Sequence, residues 1–561
     1  MLHSIHVAGS GLNASKTSVE NVMNNVTNEQ TEGYKKRRVN LSEMTHIDSR
    51  SVGRGVMVDD TTRSTEKYLY NNLMNEESKQ NYYQELSKSL AEVESVFHET
   101  DNSGFAYDLD RYFNALENLR SSPKNEIYKN DVKSHAKILV EDMHNLYGRL
   151  EKIQEGTKNK LKDDVTAMND LLSKIGDINE RLGKGLGDRN DLHDKRDLLE
   201  RKLSEYVDIE VERVDGYTLS IGGIIAVRHN TNVHSMQVKE DYERQSNLYT
   251  ADYYDYPASK TLKISLNNTD YMYVQTDMFD DRISINKKIM DAINRTVGFS
   301  DALSAELSNT EDLIVKSNVE GEEGVFDLRI VIQEDKRLFT RDERRSKDGL
   351  DDIHVEIFDE RLEAKSGTVK ALSENLITTN EKNKIYAYKK QLDNFAKALS
   401  DQSDQYLSNG DGTYIYGEYD MDRLNGPAGV RKLDLFSGSD VKTLKFHESS
   451  ASSLSQEDLD YLTTMQWKED VNFDGEVDSE TSFSKYYQKL QVDVASNKED
   501  NDFTMETQEA VTISLNNNYD KLTKVDKDEE MIKLMEFQAA YEASAKLITI
   551  SDEMLQTILN M

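Results

Sequence analysis

Apolar residues recur every seven positions near both ends of the chain, the pattern of helices that pair along a narrow stripe. The N-terminal seam has Ile5, Leu12, Val19 and Val26 at its first position and Ala8, Ser15 and Val22 at its second. The C-terminal stripes contain Leu515, Leu522, Val525, Ile532 and Met535, followed by Tyr541, Ala545, Ile548, Leu555 and Leu559. We therefore expect helices over about residues 2–26 and over most of the last 60 residues.

Further stripes with the same spacing predict long helices between the two ends. They cover about residues 83–97, 132–153, 165–175, 192–206 and 383–400, with a break between the second and third. The faces between the stripes carry mixed Lys, Glu, Asp and Asn, and the chain has only three prolines to interrupt a helix. Long charged helices of this kind indicate a helical bundle.

Alternation of apolar and polar residues replaces the helical pattern near residue 208. The sequence VDIEVERVDGYTLSIGGIIAV turns at Asp215–Gly216 and Gly222–Gly223, which predicts β-hairpins. Extended runs continue to about residue 366, interrupted by a predicted helix over about 281–307. The fold class is therefore α+β multidomain: N- and C-terminal heptad helices pairing as a coiled coil, a long-helix bundle domain and a mostly β inserted outer domain.

These patterns divide the chain into five parts that nest around the insertion. The parts are 1–65 (inner helix and extended segment), 66–207 (helical bundle), 208–366 (β insertion), 367–500 (return helix, loops and entry to the C-terminal helices) and 501–561 (C-terminal coiled-coil helices).

Charge and composition exclude several classes of partner. The net charge of −34 opposes binding to nucleic acid, which needs a basic face, and opposes adhesion to anionic membranes. The absence of cysteine excludes disulfides, thiolate metal sites and a cysteine nucleophile. The first residues lack the basic and apolar regions of a signal peptide, so we expect any export to use another route.

Both ends resemble the rod, hook and junction proteins that form the axis of the bacterial flagellum. The N-terminal match is SGLNASKTSVENVMNNVTNEQTEGYKKRRV, and the C-terminal match is DKDEEMIKLMEFQAAYEASAKLITISDEMLQTILN. In the middle, LHDKRDLLERKLSEYVDIEV and SFSKYYQKLQVDVA resemble the hook-associated members that join hook and filament. The run Lys35-Lys36-Arg37-Arg38 is instead similar to hook and rod members, which remain the alternative within the family.

The resemblance implies a structural adaptor, not an enzyme, that assembles as a homo-oligomeric ring outside the cell. It implies four partners: further copies of the chain, the hook protein, a second junction protein (hook-associated protein 3) on the filament side, and a cytosolic export chaperone. It also implies export by the flagellar type III apparatus, and no cofactor. The expected assembly residues are Ile5, Leu12, Val19, Val26, Asn24, Asn25, Asn28, Thr31, Gly33, Tyr34, Phe537, Tyr541, Ala545, Ile548, Leu555 and Leu559.

The segment after the first helix has a specific expected role. Gly33 permits a positive φ where the chain turns outward, and we expect Tyr34 to anchor against a neighbouring subunit. We also expect residues 35–38 to meet acidic surface on adjacent subunits, including residues 526–530.

Other candidate sites are weaker. Asp470, Asn472 and Asp474 resemble the start of a calcium-binding loop, but Thr481 stands where such a loop needs a bidentate Glu, so the pattern favours a turn. His229 and His234 lack an acidic partner for a metal site, and the lone Trp467 is expected to pack inside the protein. An extracellular adhesive protein that binds through the β insertion remains a second functional hypothesis, and no pattern indicates a hydrolase.

Overall fold

The computed structural model describes most of the chain. The described residues are 2–44, 53–99, 103–213, 216–229, 232–242, 248–251, 261–267, 270–277, 280, 282–296, 298–307, 313–318, 328–332, 335–341, 350–376, 383–408, 414–416, 430–469, 471–473 and 480–560.

Helices account for most of the described residues. They are α1 (Leu2–Thr27), α2 (Lys67–Phe97), α3 (Phe105–Ser121), α4 (Glu126–Lys184), α5 (Arg189–Tyr206), α6 (Arg282–Arg295), α7 (Phe299–Ala302), α8 (Thr368–Leu376), α9 (Lys384–Gln402), α10 (Glu448–Ala451), α11 (Gln456–Thr464), α12 (Phe483–Thr523) and α13 (Lys527–Leu559).

The strands are short and their sheets are small, with one exception. They are β1 (Arg37–Glu43), β2 (Val56–Arg63), β3 (Ile209–Glu212), β4 (Thr218–Ile221), β5 (Ile224–Arg228), β6 (Asn232–Val233), β7 (Met236–Tyr242), β8 (Leu248–Ala251), β9 (Thr261–Leu266), β10 (Asp270–Gln275), β11 (Leu303–Leu307), β12 (Leu313–Ser317), β13 (Leu328–Ile332), β14 (Asp335–Arg341), β15 (Leu350–Ile357), β16 (Glu360–Arg361), β17 (Gln405–Ser408), β18 (Tyr414–Tyr416), β19 (Val430–Lys432), β20 (Phe436–Ser437), β21 (Lys445–Phe446), β22 (Val471–Asn472) and β23 (Glu480–Thr481). The exception is a seven-stranded sheet of order β10-β9-β13-β14-β8-β12-β11.

The chain forms two compact units. The first comprises residues 1–238, 354–376 and 380–561, and the second comprises residues 239–353 and 377–379. The predicted insertion starts earlier, at residue 208. The difference arises because the hairpins of β3–β6 pack on α4 and α5 of the first unit. Alternation in sequence reveals a hairpin but not the helix against which it packs.

The helices of the first unit nest as the sequence predicts. The outermost pair is α1 with α13, and the next is α2 with α12. Further in, α3, α4, α9, α11 and α12 enclose an apolar core in which the rings of Phe105 and Phe483 both pack edge-on against Phe395. The long helices therefore hold the two ends of the chain side by side.

The helix α4 runs unbroken through the predicted gap between residues 153 and 165. Thr157 and Leu161 are buried there and continue the stripe of the flanking turns. The Thr157 hydroxyl donates to the Ile153 carbonyl at 2.9 Å, which satisfies a polar group inside the stripe. The buried stripe of α4 therefore continues through this segment, although the apolar spacing in the sequence is interrupted there.

The predicted helix over 281–307 was wrong in its second half. The helix α6 ends at Arg295, and Leu303–Leu307 is the strand β11, paired with β12. Leu303 and Ala305 face the core of the second unit, so this segment follows a two-residue period. The expectation for Trp467 was also wrong, because its side chain is 67% exposed.

Candidate assembly site at the chain ends

The seam between α1 and α13 is built from small side chains. On α1 the buried residues are Ala8, Ala14, Ser15, Ser18, Val22 and Asn25. The larger residues at the first seam position, Ile5, Leu12, Val19 and Val26, are only half-buried. Gly11 allows close approach, because a Cβ at this position would lie 3.2 Å from the Ser544 hydroxyl on α13. The pair therefore buries little apolar surface.

The turn after α1 is closed by its own polar side chains. The Asn28 side chain donates to the Asn24 carbonyl at 2.9 Å, and the Thr31 hydroxyl donates to the Asn28 side chain at 3.2 Å. Gly33 has φ +78°, the left-handed conformation predicted from the sequence, and a Cβ there would press on Leu198 of α5. The sequence thus ends the helix and turns the chain towards α5.

Asn25 joins four segments at this point. It is fully buried, and its amide nitrogen donates to Glu530 of α13 at 2.8 Å and to the Arg37 carbonyl at 2.9 Å. Its oxygen accepts from the Tyr34 hydroxyl at 2.9 Å and from the Arg37 amide at 3.0 Å. We call Asn25, Tyr34, Arg37 and Glu530 the clasp, because together they fasten α1, the turn, β1 and α13.

Lys36 strengthens the clasp from the solvent side. Its ammonium lies 2.6 Å from Glu529 and 3.7 Å from Glu530, both in the first turn of α13. Lys533 contacts the same two carboxylates at 2.9 and 3.1 Å. Hydrogen bonds from Lys36 and then Lys533 lower the pKa of Glu529 to about 2. The start of α13 is therefore held by cations from both ends of the chain.

A ladder of four aspartates on α5 receives the other basic residues. The acidic ladder is Asp188, which caps the N-terminus of α5, and Asp191, Asp194 and Asp197 within the helix, spaced by three so that each is a neighbour of the next on the helix surface. Its contacts are Arg37 with Asp188, Asp191 and Asp194, Arg63 with Asp194 and Asp197, and Lys35 with Asp197. The ladder thus fixes the base of the β1–β2 hairpin on the helical body.

Asp197 is the most buried member of the ladder. Burial opposes ionisation of its carboxyl, but Lys35, Arg213 and Arg63 outweigh burial and hold its pKa below the usual range. The neighbouring Glu200 is also fully buried, and burial raises its pKa even though Arg213 opposes the shift. These residues were not predicted as functional from the sequence, and the three-residue spacing of the aspartates was the available signal.

The basic segment therefore makes its contacts differently from the expected scheme. Lys35, Lys36 and Arg37 bind carboxylates of their own chain, including the predicted 526–530 region. Tyr34 likewise bonds within the chain and stacks under Arg37 at 4.9 Å from its ring centre. Arg38 alone of the four basic residues is exposed. Lys35, Lys36 and Arg37 therefore form their ion pairs within one subunit.

The remaining expected assembly residues lie along α13. Phe537, Ala545, Ile548 and Leu555 are half-buried and Tyr541 is 39% exposed, while the Leu559 side chain is outside the described residues. Seven further apolar residues of α13 are 42–61% exposed: Met531, Ile532, Met535, Leu547, Ile550, Met554 and Ile558. The helix thus carries apolar side chains well beyond those that contact α1.

The calcium-loop residues remain a prediction, because Asp470 and Asp474 lie outside the described residues. Asn472 belongs to β22 and pairs with Glu480. Among the residues that the structure describes, no cluster of three His, Asp or Glu side chains is arranged to hold a metal ion. None of the helices in that part of the chain is long and apolar enough to cross a membrane.

Comparison with known proteins supports a flagellar assignment for two regions. Residues 90–268 match the model of the flagellar hook-associated protein FlgK helical domain. Residues 518–561 match the model of the C-terminal region of the flagellar basal body rod proteins FlgEFG. The first match contains the acidic ladder, and the second contains all of α13.

Curated relatives match over about half of the chain. Flagellar hook-associated protein 1 of Bacillus subtilis is 27% identical over 302 residues, which are 50% of this chain and 58% of that protein. Flagellar hook-associated protein 1 of Salmonella typhimurium is 23% identical over 224 residues, which are 39% of this chain and 40% of that protein. The matches thus span about half the length of these relatives.

A solved structure, the flagellar hook junction protein FlgK from Burkholderia pseudomallei, aligns with 80% of this chain and 99% of its own at 11% identity and a TM-score of 0.40. By the domain matches and the curated relatives, this chain resembles the flagellar hook-associated protein 1 family.

Proposed function

We propose that this chain is a self-assembling structural adaptor that forms a ring between the flagellar hook and the filament. The observation that supports this function is the exposed apolar surface of α13 beside a thinly packed α1. In water such a surface is unfavourable. Contact with the ends of neighbouring copies would bury it, so that order at the chain ends and assembly reinforce each other.

The proposed partners follow from that position. They are further copies of the chain, the hook protein on one side and a second junction protein on the other. Before assembly, a cytosolic chaperone would cover the apolar C-terminal helix, and the type III apparatus of the flagellum would export the chain. The proposed role is structural, and no catalytic step is part of it.

The second candidate is a hook or distal-rod component. The match of residues 518–561 to rod proteins favours it. The match of residues 90–268 to the helical domain of the hook-associated protein favours the junction. We favour the junction because residues 90–268 form the longer match and belong to the middle of the chain, which differs among rod, hook and junction proteins.

Complementation of a strain that lacks this protein tests the proposal. Chains without residues 1–30 or without residues 530–561 should fail to attach filaments, although their middle regions still fold. A sharper comparison is Met535→Glu on α13 against Ile127→Glu at the start of α4, where the apolar side chain is 75% exposed compared with 61% for Met535. We expect only the α13 variant to lose attachment. Normal filaments on the truncated chains would refute the role.

A further inference from the structure

The β1–β2 hairpin is a two-stranded sheet whose outer edges pair with no other described strand. Two strands alone are marginally stable in water. An open edge also presents a row of backbone donors and acceptors to which another chain can add a strand. The hairpin packs against α1, and ion pairs with the acidic ladder hold it against α5. Its position is therefore fixed, while its outer edges can still pair with another strand.

The hydrogen-bond pattern identifies the available backbone groups. The Ser64 amide donates to the Lys36 carbonyl at 2.7 Å, and the Met44 amide donates to the Gly55 carbonyl at 3.0 Å. In an antiparallel pair these bonds direct the amides and carbonyls of Arg37, Val39 and Leu41 away from β2.

Some of these outward backbone groups already have hydrogen bonds. The Arg37 amide donates to the Asn25 side chain, and the Arg37 carbonyl accepts from the Asn21 side chain. No described residue bonds the backbone of Val39 or Leu41 on that side. The outer edge of β1 is therefore hydrogen-bonded at Arg37, whereas no described residue bonds it at Val39 and Leu41.

The outer edge of β2 is also partly closed. The Asn190 side chain donates to the Thr61 carbonyl at 2.7 Å, and the Val56 amide donates to the Ser10 hydroxyl at 3.1 Å. Between these two points the register directs the backbone of Val58 outward. The open stretches of β1 and β2 thus lie at the same level of the hairpin, since Leu41 and Val58 are opposite each other.

The side chains at this level suit a second copy of the same hairpin. Leu41 and Met57 are 45% and 47% exposed, so apolar surface is available on both strands. Arg38 is an exposed cation on β1, and Asp60 is an exposed anion on β2. Opposite charges on neighbouring strands favour pairing.

We propose that β1 of one copy adds to the β2 edge of the next, so that the hairpins of successive copies form one continuous antiparallel sheet. The inference rests on the proposed self-assembly. In the register found within the chain, Leu41 of one copy lies beside Val58 of the next, and Arg38 reaches Asp60. The contact is head-to-tail and uses different surfaces on the two copies, which is the geometry that generates rings and helical arrays.

Cysteine cross-linking tests the sheet directly, because the chain has no cysteine of its own. Leu41→Cys and Val58→Cys are placed on separate copies, expressed together, and treated with a short bismaleimide on intact flagella. We expect a cross-linked dimer from the mixture and none from either variant alone. Ile127→Cys with Val58→Cys is the control pair, because position 127 is exposed on a different element.

Two outcomes would overturn the sheet. One is a dimer from Leu41→Cys alone at the yield of the mixture, which would show β1 meeting β1. The other is no dimer in cells that carry filaments, which would refute the sheet while the proposed function stands. If the unsubstituted chain itself fails to attach filaments to the deletion strain, the proposed function fails instead.

A charge exchange supplies an independent test. Arg38→Glu and Asp60→Arg should each reduce filament attachment, and the double variant should recover most of it. Both side chains are exposed, so we expect the melting temperature of the unassembled chain to remain unchanged. A double variant as defective as the single variants would contradict the proposed pairing.

Discussion

Asn25 donates a buried hydrogen bond of 2.8 Å to Glu530, a residue 505 positions later in the chain. The same asparagine also bonds the Arg37 backbone and accepts from Tyr34. Helix α1 therefore cannot leave its place without exposing partners on α13 and on the turn. The order of the two chain ends is coupled through this one side chain.

Replacement of Asn25 by alanine should loosen both ends together. The change leaves the Tyr34 hydroxyl and the Arg37 amide without their partner and removes one hydrogen bond each from Glu530 and the Arg37 carbonyl. A buried polar group that loses its partner costs about 1–3 kcal/mol. We expect faster hydrogen exchange in α1 and in the first turns of α13. Asn13→Ala is the matched control, because Asn13 is exposed on the same helix. Faster exchange in α1 alone would contradict the coupling.

Asp197→Asn should destabilise the helical body strongly. Three cations, Lys35, Arg63 and Arg213, contact this carboxylate inside the protein. Removal of one partner from a buried ion pair typically costs about 3–5 kcal/mol because it leaves uncompensated charge. Chemical denaturation measures the effect.

Asp170→Asn provides the comparison for that variant. Asp170 forms an exposed pair with Lys174 on α4. Loss of an exposed pair of this kind should cost less than about 1 kcal/mol. Equal losses for the two variants would show that the acidic ladder is not a buried network.

Asp142 should make stability fall as the pH rises. Burial, and then the neighbouring Asp108, raise the pKa of its carboxyl from 3.8 to about 7. The folded state thus holds a proton that the unfolded state releases, so the stabilisation is complete below pH 3.8 and is lost as the pH rises through about 7. Asp142→Asn should raise the melting temperature at pH 8 and leave it nearly unchanged at pH 4. A parallel pH profile for the variant would rule out this assignment.

His193 should contribute in the opposite direction. Burial, and then Arg196 and Arg63, lower the pKa of its imidazole from 6.5 to about 4. The folded state favours the neutral ring, which lies 3.1 Å from an Arg196 nitrogen. Stability is therefore present above pH 6.5 and is lost as the pH falls through about 4. His193→Gln should flatten this part of the pH profile of the unfolding free energy, and an unchanged slope would count against it.

The sequence predicted the helices at the two chain ends well, because the spacing of buried residues along a helix repeats every three to four residues. The seven-residue spacing in α1 identified Ala8, Ser15 and Val22 as seam residues, and all three are buried. Gly33 was expected at a positive φ and has one, because the requirement is set by the backbone at that residue alone.

The contacts of the basic segment were less accessible to sequence reasoning. Arg37 and Arg63 lie directly opposite each other on β1 and β2, a repulsive pair that only the aspartates of α5 make favourable. Those aspartates are more than 120 residues away in sequence, so their role depends on tertiary structure. The sequence therefore predicted that Lys35 and Arg37 bind another subunit, because it does not reveal that Asp197 and Asp191 of the same chain lie beside them.

Electron microscopy of a strain that lacks this protein tests the central claim most directly. We expect cells with complete hooks, no filaments, and filament protein released into the medium, with filaments restored by the intact chain. Filaments of normal number and length on hooks without this protein would contradict the proposed junction role.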